Sequence, residues 1–99
     1  MTYDQARQYG KTYVGALNTG VDAFAGLFAN DAFITVGGVE ADIAAVLEQT
    51  PPTRCNYRGA RLEDPYAVLN VRVRIGEDVT DIEHRVALNA AGLIATLVA

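Results

Sequence analysis

Residues 66–99 read YAVLNVRVRIGEDVTDIEHRVALNAAGLIATLVA, and their alternation decides the fold. In an extended chain every second side chain shares a face. Over 66–75, Ala67, Leu69, Val71, Val73 and Ile75 fall on one side and Val68, Asn70, Arg72 and Arg74 on the other. Over 79–90, Ile82, His84, Val86 and Leu88 alternate with Asp81, Glu83 and Arg85. GED at 76–78 and NAAG at 89–92 are turn sequences, the second leading into a last strand over 92–99. Connections this short predict antiparallel strands paired as a meander, apolar on one face and charged on the other.

His84, the only histidine, shares the apolar face of its strand. An unperturbed imidazole titrates near ~6.5, which suits proton transfer or ligand orientation at neutral pH. The plainer alternative is a neutral core ring bonded to Tyr13, Tyr57 or a backbone carbonyl, since burial penalises the charged form.

Upstream, the pattern changes period. Thr2 and Gln5 have the spacing of a capping box, and Ala6, Tyr9, Tyr13, Ala16 and Leu17 recur on one helical face. NTG at 18–20 ends that helix, with Gly20 able to take the left-handed conformation. A short helix is expected over 21–28 (Phe24, Leu27 and Phe28 apolar), a turn at 29–31 and a strand over 32–36. Gly37 and Gly38 break the strand, and a third helix is expected over 39–49, stopped by Pro51 and Pro52. A further strand covers 53–63. The fold class is α+β: helices on one face of a curved antiparallel sheet.

The 99 residues read as a single domain, 1–99, long enough to bury roughly two thirds of its unfolded surface. Hydrophobic residues make up 51% and charged residues 20%, a globular rather than a disordered balance. The sole cysteine, Cys55, excludes an internal disulfide and fits a reducing compartment. The first residues lack the apolar core of a signal peptide, and the longest apolar run is far short of the ~20 residues that span a bilayer. A cytoplasmic protein with no membrane partner is expected. Net charge is −4, and the arginines of residues 51–99 are matched by as many acids, so no nucleic-acid partner is expected. One histidine and one cysteine do not make a metal site, and GG at 37–38 lacks the spacing and lysine of a phosphate loop. No metal and no cofactor are expected.

Two stretches, YVGALNTGVDAFAGLFANDAFITV (13–36) and RVALNAAGLIATL (85–97), resemble the opening and the closing hairpin of the nuclear transport factor 2-like superfamily. That superfamily includes ketosteroid isomerases and SnoaL-like polyketide cyclases. The resemblance implies a cystatin-like α+β cone, a fold that hosts many unrelated functions. In the isomerases an Asp base works with a tyrosine and a protonated Asp that stabilise an enolate oxyanion. Carried over by the LNTG, ANDA and NAAG landmarks, the tyrosine matches Tyr13, the protonated Asp falls on His84 and the base falls on Val36. Val36 cannot accept a proton, and no Asp or Glu lies between Asp31 and Glu40. Isomerisation by that mechanism is therefore disfavoured.

The resemblance thus implies a domain that binds an apolar, ring-type small molecule, with His84 and Tyr13 as its polar and candidate catalytic groups. Tyr9, Tyr57, Val36, Phe28, Leu69 and Val71 would line the site. Two alternatives stand beside it: a His84/Tyr13-dependent isomerase, cyclase or dehydratase, and a dimeric scaffold with no ligand. The mixed charges of Arg72 and Arg74 against Asp81, Glu83 and Arg85 mark the outer sheet face, through which relatives often pair; a homodimer is expected there.

Overall fold

A computed structural model describes residues 1–99. The chain runs α1 (Tyr3–Thr19), α2 (Val21–Ala25), β1 (Phe28–Val36), β2 (Val39–Glu40), α3 (Ile43–Gln49), β3 (Cys55–Glu63), β4 (Tyr66–Ile75), β5 (Asp78–Leu88) and β6 (Ile94–Val98). No helix is long and apolar enough to cross a membrane.

The expected meander is present. β3, β4 and β5 pair antiparallel, with Leu69 opposite both Ala60 and His84, and Val71 opposite both Tyr57 and Ile82. β5 pairs antiparallel with β6. The sheet is mixed rather than wholly antiparallel, because β1 lies parallel to β6, giving the order β2-β1-β6-β5-β4-β3. The fold class is the expected α+β, helices over one face of a curved sheet.

Three local expectations are corrected. The second helix stops at Ala25: the Gly26 amide donates to the Asp22 carbonyl and the Leu27 amide to the Phe24 carbonyl, and Phe28 already belongs to β1. The turn expected at 29–31 lies within β1, as an irregularity. Phe28 pairs with Ile94 and Phe33 with Thr96, so five steps along β1 face two along β6. The third helix begins at Ile43, because Asp42 is its N-cap and accepts the Ala45 amide at 3.0 Å. Val39 and Glu40 instead fold back on Val36 and Thr35 across Gly37 and Gly38. Both glycines have positive φ (+60° and +81°), which a two-residue hairpin of this kind requires.

α1 starts with the expected capping box: the Gln5 amide donates to Thr2 Oγ1 and the Thr2 amide to Gln5 Oε1. Its buried stripe is Ala6, Gly10, Tyr13, Val14 and Leu17, with Tyr9 and Ala16 on the margin. The helix lies across β3 and reaches β4. Phe24 of α2 and Val46 of α3 close the core from the same side. Opposite them stand Leu69, Val71, Val73, Val86 and Leu97 of the sheet.

Candidate functional site

Tyr13 and His84 meet at the centre of this core. Tyr13 hangs from the buried stripe of α1, and His84 projects from β5 beside Leu69. Both side chains are completely buried, and the Tyr13 hydroxyl lies 2.6 Å from His84 Nδ1. Their rings meet edge to face at 5.7 Å. Only two polar residues of the chain are fully buried, Thr50 and His84; the Thr50 hydroxyl donates to the Val46 carbonyl of its own helix. Of these two, His84 is the one whose side chain makes no bond within its own element.

Burial without a neighbouring charge sets the electrostatics. It pulls the His84 imidazole from 6.5 down to about 4, so the ring is neutral at physiological pH. It pushes the Tyr13 phenol well above 10, with smaller contributions from Tyr9 and Cys55. Tyr9 is pushed up to about 12 for the same reason.

Aromatic rings surround the pair in series. Tyr13 stands 6.5 Å from Tyr9 and edge-on to Phe24 at 5.3 Å, and Phe24 stands edge-on to Phe28 at 5.0 Å. Such edge-to-face pairs stabilise by about 0.5–1.5 kcal/mol each beyond the area they bury. Tyr57, on the concave face of β3, approaches α1 at Gly10. A methyl group on Gly10 would overlap the Tyr57 ring at Cε1, so the helix needs a glycine there.

Three buried side-chain polar atoms have no hydrogen-bond partner: Tyr9 Oη, Tyr57 Oη and His84 Nε2. Tyr9 belongs to α1, Tyr57 to β3 and His84 to β5. None of the three has a partner within the protein, and a buried donor or acceptor left unsatisfied costs about 1–3 kcal/mol.

The expected site residues divide by position. Leu69 and Val71 are completely buried on the concave face, directly beside His84 and Tyr57 respectively in the cross-strand register. Phe28 ends the aromatic series and borders a groove with Ile34, Ala41 and Ile43. Val36 is partly buried at the end of β1, against the core but not in contact with any surface groove. Tyr9 forms the inner wall of an open groove of about 590 Å³ along the flank of α1, with Met1, Gln8, Thr12, Leu88 and Gly92. No cavity or groove is lined by Tyr13 or His84, so the centre of the cone is filled. The groove at Tyr9 and the role of Gly10 escaped the sequence reading. A glycine in the middle of an amphipathic helix, where alanine is favoured by about 0.5–1 kcal/mol, was the available signal.

The convex face carries the charges. Arg72 forms a bidentate pair with Asp81 at 2.7 and 3.0 Å. Arg61 binds both Glu63 and Glu83, and Arg85 lies against the same two carboxylates. Arg61 and Arg85 flank Val68, which they leave completely buried although it points away from the core. Phe33 stands half-exposed on this face, next to Thr96.

No family model and no curated protein matches the sequence. Solved structures do match the fold. A de novo designed NTF2-fold protein aligns over 100% of this chain and 85% of its own, at a TM-score of 0.71 and 17% identity. A provisionally assigned ketosteroid isomerase from Kribbella flavida aligns over 97% of this chain and 76% of its own (TM-score 0.70, 15% identity). A provisionally assigned polyketide cyclase from Sinorhizobium meliloti aligns over 99% and 98% (TM-score 0.68, 16% identity). At these identities the likeness is one of fold, and the superfamily resemblance read from the sequence holds at that level.

Proposed function

From a chain with the nuclear transport factor 2-like fold and a polar pair at its centre, we propose a domain that binds a small, apolar, ring-type molecule. The observation that carries this reading is the trio of buried, unpartnered polar atoms on Tyr9, Tyr57 and His84. The groove beside Tyr9 has the volume of a small-molecule site. From it the aromatic series Tyr9–Tyr13–His84 runs inward, with ring centres 6.5 and 5.7 Å apart.

An isomerase, cyclase or dehydratase using His84 and Tyr13 is the rival in the enzyme class. It lacks a base: no carboxylate is buried, and the position matched to the family's aspartate is Val36. A ligand-free scaffold draws its support from the filled centre of the cone. Two copies pairing through the convex face belong to the same proposal, on the self-neutral Arg61–Glu63–Glu83–Arg85 cluster and the half-exposed Phe33. The free thiol of Cys55 fits a reducing compartment such as the cytoplasm.

The test is an NMR titration with a panel of neutral bicyclic compounds. Saturable shifts are expected at the Tyr9, Leu88 and Gly92 amides, with ~10-fold weaker binding in His84→Gln, the loss of one hydrogen bond. An absence of saturable shifts with every compound rejects the binding reading in favour of the scaffold. Light scattering tests the pairing, and a monomer at every concentration overturns it.

A further inference from the structure

β3 ends the sheet on one side, and its outer edge is open. That edge is occupied at Cys55, where the Asn18 side chain takes both the N–H and the carbonyl. Over residues 56–63 the backbone bonds to nothing except β4. A row of free N–H and C=O groups of this kind is a template for one more strand.

Cations border the open edge on both sides. Arg7, Lys11 and Asn18 recur at one- and two-turn spacing and share one stripe of α1. The bonds from Asn18 to Cys55 set that stripe against β3. Burial and Tyr3 push the Tyr57 phenol up, and Arg7 pulls it back, which places Arg7 beside the same strand. On the convex side, Arg54 and Arg58 alternate with the inward Cys55 and Tyr57. Asp81, held down chiefly by its bond to Arg72, also lies within the field of Arg58. Arg74 extends the row onto β4, its amide donating to the Arg54 carbonyl. Arg61, Arg72 and Arg85 are bound to carboxylates, and Arg7 lies 3.7 Å from Asp4. Lys11, Arg54, Arg58 and Arg74 are exposed and make no ion pair. In a chain of net charge −4, unpaired positive charge is thus gathered along one strand edge.

We propose that the open edge of β3 docks an extended acidic segment of a partner protein, which adds to the sheet as a further strand. Its backbone pairs with residues 57–63, and carboxylates on its alternate faces meet Arg54 and Arg58 on one side and Arg7 and Lys11 on the other. A second copy of this chain is a poor occupant, because pairing β3 with β3 sets its unpaired arginines against their own kind. The bulge between Tyr57 and Gly59 also bends the edge, which a flexible segment follows more readily than a second folded sheet.

The experiment titrates the full chain at low salt with acetylated, amidated octaglutamate and follows the β3 amides by NMR and hydrogen exchange. Saturable shifts and slowed exchange are expected over residues 57–63. Binding should weaken at least ~5-fold in Arg58→Glu and in Lys11→Glu, two exposed positions on opposite sides of the edge, and should fall steeply with added salt. Octalysine and an octaglutamate N-methylated at every amide are expected not to bind. An absence of saturable binding by octaglutamate overturns the proposal, as does equal binding by octalysine. Equal binding by the N-methylated peptide overturns it too, since charge would then act without strand pairing. A free chain that dimerises with its β3 amides already protected overturns it in favour of self-pairing.

Discussion

The side-chain amide of Asn18 spans the backbone of Cys55: it accepts the Cys55 N–H at 2.9 Å and donates to the Cys55 carbonyl at 2.7 Å. One side chain thus does for the edge of β3 what a neighbouring strand would do, and it fixes the end of α1 over the sheet. Asn18→Ala removes both bonds and leaves a partly buried amide and carbonyl unmatched. A loss of about 1–3 kcal/mol is expected in urea unfolding. Asn18→Asp, which cannot donate, is expected to fall in the same range rather than near wild type.

Acid acts on the core through His84. The ring titrates near 6.5 when unfolded and near 4 when buried, so between these values the unfolded chain holds more protons. Stability is therefore fully present above about pH 6.5 and is lost as pH falls toward 4. The total loss from this one group is about 3 kcal/mol. Urea midpoints measured from pH 8 to pH 4 should show this slope in the wild type. The same series on His84→Gln should show it flattened.

Gly10 and Tyr57 are expected to be coupled. Gly10→Ala gains about 0.5–1 kcal/mol of helix preference but forces the Tyr57 ring away, and overpacking of this kind costs about 1–3 kcal/mol. The single variant should be destabilised. In a Tyr57→Ala background the same change should stabilise, and a double-mutant cycle reads the reversal of sign directly.

The convex ion pairs should contribute little despite their short distances, because their partners are a third or more exposed. Arg72→Ala is expected to lower the urea midpoint only slightly, and by less still in 1 M salt. Arg61→Ala has an additional route to an effect, since Arg61 stands opposite the completely buried Val68 in the β3–β4 register.

Cys55 is expected to be inert in the folded protein. The thiol is buried, leans on the Pro51 carbonyl and is pushed up to about 11 by burial. A disulfide exchange reagent should label it at the rate of global unfolding, and rapid labelling under native conditions would contradict this.

The meander and the Tyr13–His84 pair were legible because each rests on a local rule. Period-two alternation places His84 among Ile82, Val86 and Leu88, and helical spacing places Tyr13 inward. The misread segments are those where a distant partner decides. Val39 and Glu40 have no strand signal of their own and are extended because Thr35 and Val36 pair with them. Residues 29–31 have turn composition and do bulge, yet they stay within β1 because β6 holds both ends of it. The filled centre of the cone was not legible either. Alternation states which side chains point inward but not whether their volumes meet, and here Tyr13, Phe24 and Leu17 meet.

The position of β6 has a consequence for how the molecule is assembled. It is the last strand in the chain yet sits between β1 and β5, so the β1–β2 hairpin and the β3–β4–β5 meander share no ladder except through it. Residues 94–98 work as a keystone set last. During synthesis the two halves of the sheet must wait for them, and a chain cut before Ile94 would hold a finished meander beside an unattached hairpin.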